Sequence, residues 1–196
     1  MDNPILYKDE DGEDVVIWYT NSDGNDKYFV FNGTQSRVPN NQFVLDVVHA
    51  YNFLKSHNAG ENFIKGVTDP QFRINIQENP EKNSSQNDSR ITTVFWSSRK
   101  GLKTSDGGHQ SPATRLEHEF DHAVDACREE YRFFKMHKDR RKMFDSQYKN
   151  KEEKRVIEGS EAKTAKRLGE SVRKDHCGKQ YDVCSPISTK PLKKKK

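Results

Sequence analysis

The sequence contains few cysteines and no long apolar stretch. Its three cysteines, Cys127, Cys177 and Cys184, are an odd set without the C-x-x-C spacing of structural zinc sites, so we expect free thiols and no disulfide framework. No apolar run approaches the roughly 20 residues that a membrane-spanning helix needs. The N-terminus is too acidic for a signal peptide. We therefore expect no membrane span and, for an exported protein, a route of delivery without a signal peptide.

Apolar residues are also scarce. They make up 31% of the 196 residues, against 33% for charged residues, so the core must come from a few segments. A chain of this length can bury one core without partners. We expect one domain over residues 1–186, with a β-rich part over 1–100 and catalytic helices over 110–176. Residues 187–196 are expected to form a basic, disordered tail.

The net charge of +4 is unevenly distributed along the chain. Residues before about Asn52 are mostly acidic, whereas the chain from Lys135 onward is rich in lysine and arginine. Basic patches attract nucleic acids, anionic membranes and acidic proteins, but a solvated helical surface with a basic tail has the same composition. The charge therefore identifies no partner, and we expect no nucleic acid among the partners.

Short strands and helices follow one another in the pattern of an α+β fold. Alternating or β-branched runs between turn residues predict strands at 15–19, 28–31, 72–76 and 91–96. Apolar residues spaced by three and four predict helices at 44–54, 112–128 and 151–168. The polar segment 78–89 is interpreted as a loop. We expect the strand at 91–96 to be the edge of a mixed sheet over the helix at 112–128, where it can pair with an extended peptide.

The segment His118-Glu119-Phe120-Asp121-His122 has the spacing of a catalytic zinc site. Two histidines four residues apart on a helix project from the same face and can bind one metal ion. Glu119 follows the first histidine and can accept a proton from a metal-bound water. A zinc ion with two histidines, one further protein ligand and a water polarises a carbonyl group and lowers the pKa of the water to about 7.

The third ligand must come from outside this helix, and two glutamates are candidates. No histidine follows the motif at the short spacing of the metzincins. Glu153 and Glu161 both lie on the apolar stripe of the helix predicted at 151–168. Eight residues separate them by about 12 Å along a helix, so one zinc ion cannot bind both. Their spacing alone does not decide between them.

Further features after the motif match a known family. They are the acidic pair Glu152-Glu153, the apolar pair Val156-Ile157 with Gly159, and the segment Arg173-Lys174-Asp175-His176. Together with H-E-x-x-H they resemble the NleD-type effector zinc metallopeptidases, which are gluzincin-like, and more distantly the clostridial neurotoxin light chains. Gly159 lies one residue later than its counterpart in those families.

The resemblance implies a zincin-like fold and a role for each matching residue. The implied zinc ligands are His118, His122 and Glu153. Glu119 is the implied general base, and Arg173 the implied donor to the developing oxyanion. His176 stands where those families carry a tyrosine, and an imidazole can also donate a hydrogen bond to an oxyanion.

The stretch 110–186 also resembles toxin domains at the C-termini of bacterial Rhs/YD-repeat proteins. This implies a secreted toxin or effector, delivered by a specialised secretion system, that hydrolyses a peptide bond of a protein in the target-cell cytoplasm. A cognate immunity protein is a further implied partner, and we expect a monomer. Two alternatives stay open. One is a non-peptidic zinc hydrolase, because the motif specifies ion and base more firmly than substrate; the other is a binding module with a structural or degenerate zinc site.

Overall fold

The computed structural model describes residues 15–81, 83–88, 91–127 and 131–193. Its strands are β1 (Val15–Thr20), β2 (Asp26–Phe31), β3 (Ile74–Glu78), β4 (Ser84–Asp88), β5 (Ile91–Trp96), β6 (Lys100–Thr104), β7 (His109–Gln110), β8 (Phe144–Asp145), β9 (Lys149–Asn150) and β10 (Gly178–Asp182). Its helices are α1 (Gln42–Ser56), α2 (Glu61–Thr68), α3 (Pro112–Cys127), α4 (Tyr131–Lys142), α5 (Lys151–Val156) and α6 (Ala162–Leu168). A π-helical turn, Ile157–Glu161, joins α5 to α6.

A five-stranded mixed sheet has the strand order β2-β1-β3-β5-β4. The central pairs β1 with β3 and β3 with β5 are parallel, whereas β2 and β4 run antiparallel to their neighbours. Alternate residues of the central strands, such as Ile17, Ile76 and Val94, are fully buried on one face. The predicted α+β class with a mixed sheet is confirmed.

The prediction that 91–96 forms the sheet edge is wrong. Strand β4 covers β5 from Ser84 opposite Phe95 to Asp88 opposite Ile91, and β4 is itself the edge. The segment 78–89, interpreted as a loop, therefore contains a strand. Its polar side chains suit an edge strand, whose stability comes from backbone hydrogen bonds to β5 more than from burial. Helix α3 contacts both β4 and β5.

Helices α1, α2 and α3 form one apolar core with the buried face of the sheet. Phe120 of α3 packs on Phe63 of α2 with ring centroids 4.5 Å apart. Gly66 permits this approach, since a Cβ atom there would lie 2.9 Å from the Phe120 ring. Glu117 of α3 accepts hydrogen bonds from the backbone N–H groups of Asn62 and Phe63, in the first turn of α2. These contacts fix α3 in the core.

The helix predicted at 151–168 is interrupted. Helix α5 begins after Asn150, whose side chain accepts a hydrogen bond from the Glu153 backbone N–H at 2.9 Å. The π-helical turn follows, and Gly159 within it has non-helical torsion angles, φ −96° and ψ −105°. Helix α6 ends at Gly169, which adopts the left-handed conformation with φ +67°. The two short helices can therefore point in different directions.

The predicted tail begins at residue 187, but the chain from 187 to 193 contacts β10 and its neighbours. Tyr181 donates a hydrogen bond to the Thr189 carbonyl at 2.8 Å, and the Leu192 N–H donates to the Asp182 carbonyl at 2.7 Å. Residues 194–196 lie outside the described residues. Among the helices of the described residues, none has the length and apolar character needed to span a membrane.

Candidate metal centre

Three buried side chains from α3 and α5 bring ligand atoms together. The Nε2 atoms of His118 and His122 are 3.3 Å apart. The Glu153 carboxylate lies 3.2 Å from the first nitrogen through Oε2 and 3.5 Å from the second through Oε1. Tetrahedral ligands about 2.0–2.1 Å from a zinc ion are roughly 3.3–3.4 Å from each other. The group could therefore hold one metal ion, and its spacing suits zinc.

The hydrogen bonds behind the two rings indicate which nitrogen carries the proton. His118 Nδ1 lies 2.6 Å from Glu161 Oε2, and His122 Nδ1 lies 3.2 Å from Glu152 Oε1. A carboxylate accepts a hydrogen bond, so each neutral ring donates from Nδ1 and keeps a lone pair on Nε2. Two lone pairs and the Glu153 carboxylate then converge. Such an arrangement is stable only around a cation or a proton.

The Glu153 carboxylate has an unsatisfied atom at this point. Its buried Oε2 lies 3.2 Å from His118 Nε2 and 3.4 Å from His176 Nε2, but neither contact has the geometry of a hydrogen bond. Burying an unpaired carboxylate oxygen is costly unless a cation compensates it. A metal ion between the two Nε2 atoms and this oxygen removes the cost.

Charged groups around the ligands carry an excess of negative charge. The carboxylates belong to Glu119, Asp121, Asp125, Glu152, Glu153 and Glu161, and the guanidinium groups to Arg115, Arg140, Arg155 and Arg173. With neutral imidazoles, the six carboxylates exceed the four guanidinium groups by two charges. One divalent cation balances that excess, as does protonation of imidazoles.

Glu161 supports His118 from the side opposite the ligand atoms. The fully buried Glu161 carboxylate accepts hydrogen bonds from Arg173 Nε and Nη2 at 2.7 and 2.6 Å. Gln110 and Arg115 donate to it at 2.9 and 3.1 Å. A carboxylate held in this way fixes the orientation and tautomer of the imidazole. The geometry thus separates the two candidates: Glu153 lies among the ligand atoms and Glu161 lies behind them.

Glu152 supports His122 in the same way, and the sequence did not lead us to assign it a role. Its buried carboxylate also binds Arg140 Nε at 2.5 Å and Arg155 Nη2 at 2.6 Å. Neighbouring helical residues project about 100° apart. Once Glu153 faces the metal side, Glu152 therefore faces the back of the second histidine. The adjacent glutamates Glu152 and Glu153 were the sequence feature from which a role for Glu152 could have been inferred.

The other predicted site residues occupy different positions. Glu119 is buried on α3, with its Oε1 3.8 Å from Arg115 Nη2. Arg173 Nη2 lies 3.4 Å from His118 Nδ1, away from the ligand nitrogen, and Glu161 engages it. The predicted oxyanion donation by Arg173 does not fit this position, because its guanidinium lies behind the histidine. His176 Nε2 lies 3.4 Å from Glu153 Oε2, and its side chain is 37% exposed.

A second group of possible metal ligands consists of Asp125, His137 and Glu152. His137 Nδ1 lies 3.1 Å from Asp125 Oδ2 and 3.4 Å from Glu152 Oε1. Arg140 binds both carboxylates and Arg155 binds one of them, so guanidinium groups already supply the positive charge. We therefore interpret this second group as a buried network of ion pairs behind His122, and not as a metal site.

The histidines and carboxylates of this group shift each other's pKa values. Burial lowers the pKa of His122, but interactions with the Glu152 and Glu153 carboxylates raise it by more than burial lowers it. The resulting pKa is about 9. Burial raises the pKa of Glu153, whereas the neighbouring His118 and His122 rings lower it far more, so that the carboxylate stays ionised. A proton on His122 therefore competes with a metal ion.

We expect opposite pH trends for the metal-free protein and for zinc binding. The folded pKa of His122, about 9, exceeds the unfolded value of roughly 6.5. Its contribution to the free energy of unfolding is therefore complete below about pH 6.5 and is lost as the pH rises through about 9. His122 must lose its proton to bind zinc, so zinc affinity should rise about tenfold per pH unit up to about pH 9. Chelator competition between about pH 6 and pH 8 measures this rise, and a flat affinity contradicts it.

Comparisons with known proteins give no assignment. No family model matches the chain, and neither the curated proteins nor the solved structures contain a match. The resemblance to NleD-type metallopeptidases therefore stays a prediction that rests on the motif residues.

Proposed function

We propose that the protein is a zincin-like, zinc-dependent peptidase that hydrolyses a peptide bond in a protein substrate. The observation that supports this most strongly is the convergence of two Nε2 atoms and the Glu153 carboxylate at tetrahedral zinc spacing. Glu119, the residue after the first histidine, is a buried carboxylate beside this group. Two histidines, a carboxylate and a neighbouring glutamate are the groups that metal-assisted hydrolysis of amides requires.

Each side chain has a defined part in the proposed reaction. When bound, zinc acts as a Lewis acid and lowers the pKa of a coordinated water to about 7. Glu119 accepts the proton of the attacking water and transfers it to the nitrogen of the leaving amine. Glu152 and Glu161 hold the imidazoles in the tautomer that presents Nε2. His176, at the partly exposed side of Glu153, donates a hydrogen bond to the oxyanion as it forms.

The sheet edge supports a peptide as the substrate. Strand β4 pairs with β5 on one side, contacts α3, and pairs with no other strand of the described residues. An exposed strand edge offers unpaired N–H and C=O groups to an extended chain. A substrate added along β4 would run beside the helix that carries His118, Glu119 and His122. A small non-peptidic substrate has no polypeptide backbone and cannot pair with a strand edge in this way.

The biological setting follows from the motif resemblance. We propose a secreted toxin or effector that acts in the cytoplasm of a target cell, with a cognate immunity protein as a second partner. The three cysteines are unpaired, which suits a reducing compartment.

His176 distinguishes catalysis from a purely structural metal site. If the imidazole joins the two histidines and Glu153 as a fourth ligand, the site is closed and binds no water. If it stays a hydrogen-bond donor, a coordination position is open for catalysis. Its 37% exposed side chain favours the donor role, as does the grouping, among the described residues, of only His118, His122 and Glu153 with ligand atoms within 4.8 Å of one another.

We expect the purified protein to contain about one zinc ion per chain and to cleave an unfolded protein such as casein. Mass spectrometry of the metal content and of the cleavage products measures both properties. Treatment with 1,10-phenanthroline should abolish cleavage, and added zinc should restore it. Zinc without any peptide cleavage would favour the structural site, and cleavage of esters alone would favour the non-peptidic hydrolase. Absence of zinc would refute the proposal.

A further inference from the structure

Helix α4 and the hairpin that follows it expose three large apolar side chains. Met136, Met143 and Phe144 are 43%, 55% and 79% exposed. Met143 continues the last turn of α4, because its N–H donates to the carbonyls of Asp139 and Arg140. Met136 and Met143 are seven residues apart and so share one side of the helix. Phe144 is the most exposed large apolar residue of those the structure describes.

Exposed basic side chains lie on the same elements as these apolar residues. Lys135, Arg141, Lys142 and Lys149 are exposed, and Lys151 is half exposed. On the same elements Asp139 is only partly exposed, and Asp145 accepts hydrogen bonds from the backbone of Gln147 and Tyr148. We name the set of exposed residues Lys135, Met136, Lys142, Met143, Phe144 and Lys149 the basic apolar tip. Exposed aromatic and methionine side chains are enriched at protein interfaces.

The basic apolar tip lies next to the candidate metal centre. Phe144 pairs with Asn150 across the β8–β9 hairpin, and Asn150 caps the helix that carries Glu153. One strand spacing of about 5 Å and one helical turn of about 5 Å place Phe144 on the order of 10 Å from Glu153 along the backbone. Within the hairpin loop, the backbone carbonyl of Gln147 accepts a hydrogen bond from the backbone N–H of His176 at 3.0 Å.

We infer that the basic apolar tip is a docking surface for an acidic segment of the protein substrate, in which carboxylates flank an apolar side chain. The inference rests on the proposed peptidase function and adds a substrate class to it. Positive charge around an apolar centre complements carboxylates around an apolar residue. An extended chain rises about 3.3 Å per residue, so about three residues connect the tip to the metal centre. That short connection favours a polypeptide over a membrane surface as the occupant.

Fluorescence anisotropy with labelled peptides of about 12 residues tests this inference. The probes alternate Glu with Leu, Lys with Leu, or Ser with Gly, and the zinc-loaded Glu119→Gln protein is used so that bound peptide stays intact. We expect the Glu/Leu peptide to bind at least about tenfold more tightly than the other two. Phe144→Ser with Met143→Ser, and separately Lys142→Glu with Lys149→Glu, should each weaken its binding about tenfold or more.

Matched changes elsewhere on the surface serve as controls. Leu45→Ser alters an apolar residue that is 39% exposed on α1, and Lys27→Glu alters an exposed lysine on β2. Both should leave binding unchanged, and a zinc content equal to that of the parent shows that each variant is folded. Equal binding of acidic and basic peptides overturns the inference. Binding to phosphatidylserine vesicles without preference for the acidic peptide overturns it in favour of a membrane. Peptide binding without any cleavage by the wild-type protein rejects the peptidase proposal and leaves the docking surface standing.

Discussion

Replacing Glu119 with glutamine should lower peptide cleavage by about 10²- to 10⁴-fold and leave the zinc content unchanged. The amide has nearly the shape of the carboxylate but cannot accept the proton of the attacking water. None of the three ligand atoms belongs to Glu119, so metal binding does not depend on it. Single-turnover cleavage of casein, measured together with zinc content, separates loss of chemistry from loss of metal.

Glu158→Gln is the matched control for this experiment. Glu158 is an exposed glutamate in the π-helical turn, with a weak ion pair to Lys154 at 3.9 Å. The same substitution there should change neither cleavage nor zinc content. Unchanged cleavage by Glu119→Gln would exclude Glu119 as the general base and with it the proposed mechanism.

Removing Glu153 should weaken zinc binding far more than removing Glu161. Glu153→Ala deletes a ligand, whereas loss of a group behind a ligand costs roughly 10- to 100-fold in metal affinity. We therefore expect Glu153→Ala to bind zinc at least about tenfold more weakly than Glu161→Gln. Competition with a fluorescent zinc chelator measures both affinities. The reverse order would show that the carboxylates have exchanged roles.

Glutamine is preferred over alanine at position 161 because of the surrounding charges. Arg115 and Arg173 both bind the Glu161 carboxylate, and alanine would leave two buried guanidinium groups without it. Breaking a buried ion pair from one side typically costs about 3–5 kcal/mol. The glutamine oxygen can still accept a hydrogen bond from Arg173. Thermal unfolding of each variant then shows whether reduced zinc affinity is separate from reduced stability.

The residues of the motif could be predicted because they are local. His118, Glu119 and His122 lie within five consecutive residues of α3, where helical periodicity alone sets their relative directions. Glu153 comes from another helix, and the sequence spacing left Glu161 as an equal candidate. The acidic pair favoured Glu153 through the family resemblance, and the ligand-atom distances agree with it.

Most of the groups behind the histidines could not be predicted from spacing. Arg140 and Arg173 come from other parts of the chain and meet Glu152 and Glu161 only after the elements have packed. Arg155 is the exception, since it lies three residues after Glu152 on the same helix. Arg173 in particular matched a family position for an oxyanion donor. In the structure its guanidinium instead donates hydrogen bonds to the buried Glu161 carboxylate. No sequence pattern predicted this contact.

The edge of the sheet escaped prediction for a different reason. Strand β4 consists of Ser84-Ser85-Gln86-Asn87-Asp88, residue types that ordinarily favour turns. Pairing with β5 supplies the backbone hydrogen bonds that offset their low strand propensity. Composition alone therefore cannot distinguish a polar edge strand from a loop. By contrast, the buried strand β5 was recognisable from its β-branched and aromatic residues.

The π-helical turn makes the spacing of Glu153 and Glu161 adjustable. Gly159 within this turn has φ −96° and ψ −105°, which are not helical, so the chain kinks between α5 and α6. Deleting Gly159 would keep every charged group of this segment yet rotate Glu161 by roughly 100° around the helix axis. Homologous chains with insertions or deletions in this turn can thus differ in metal affinity while their ligands stay identical.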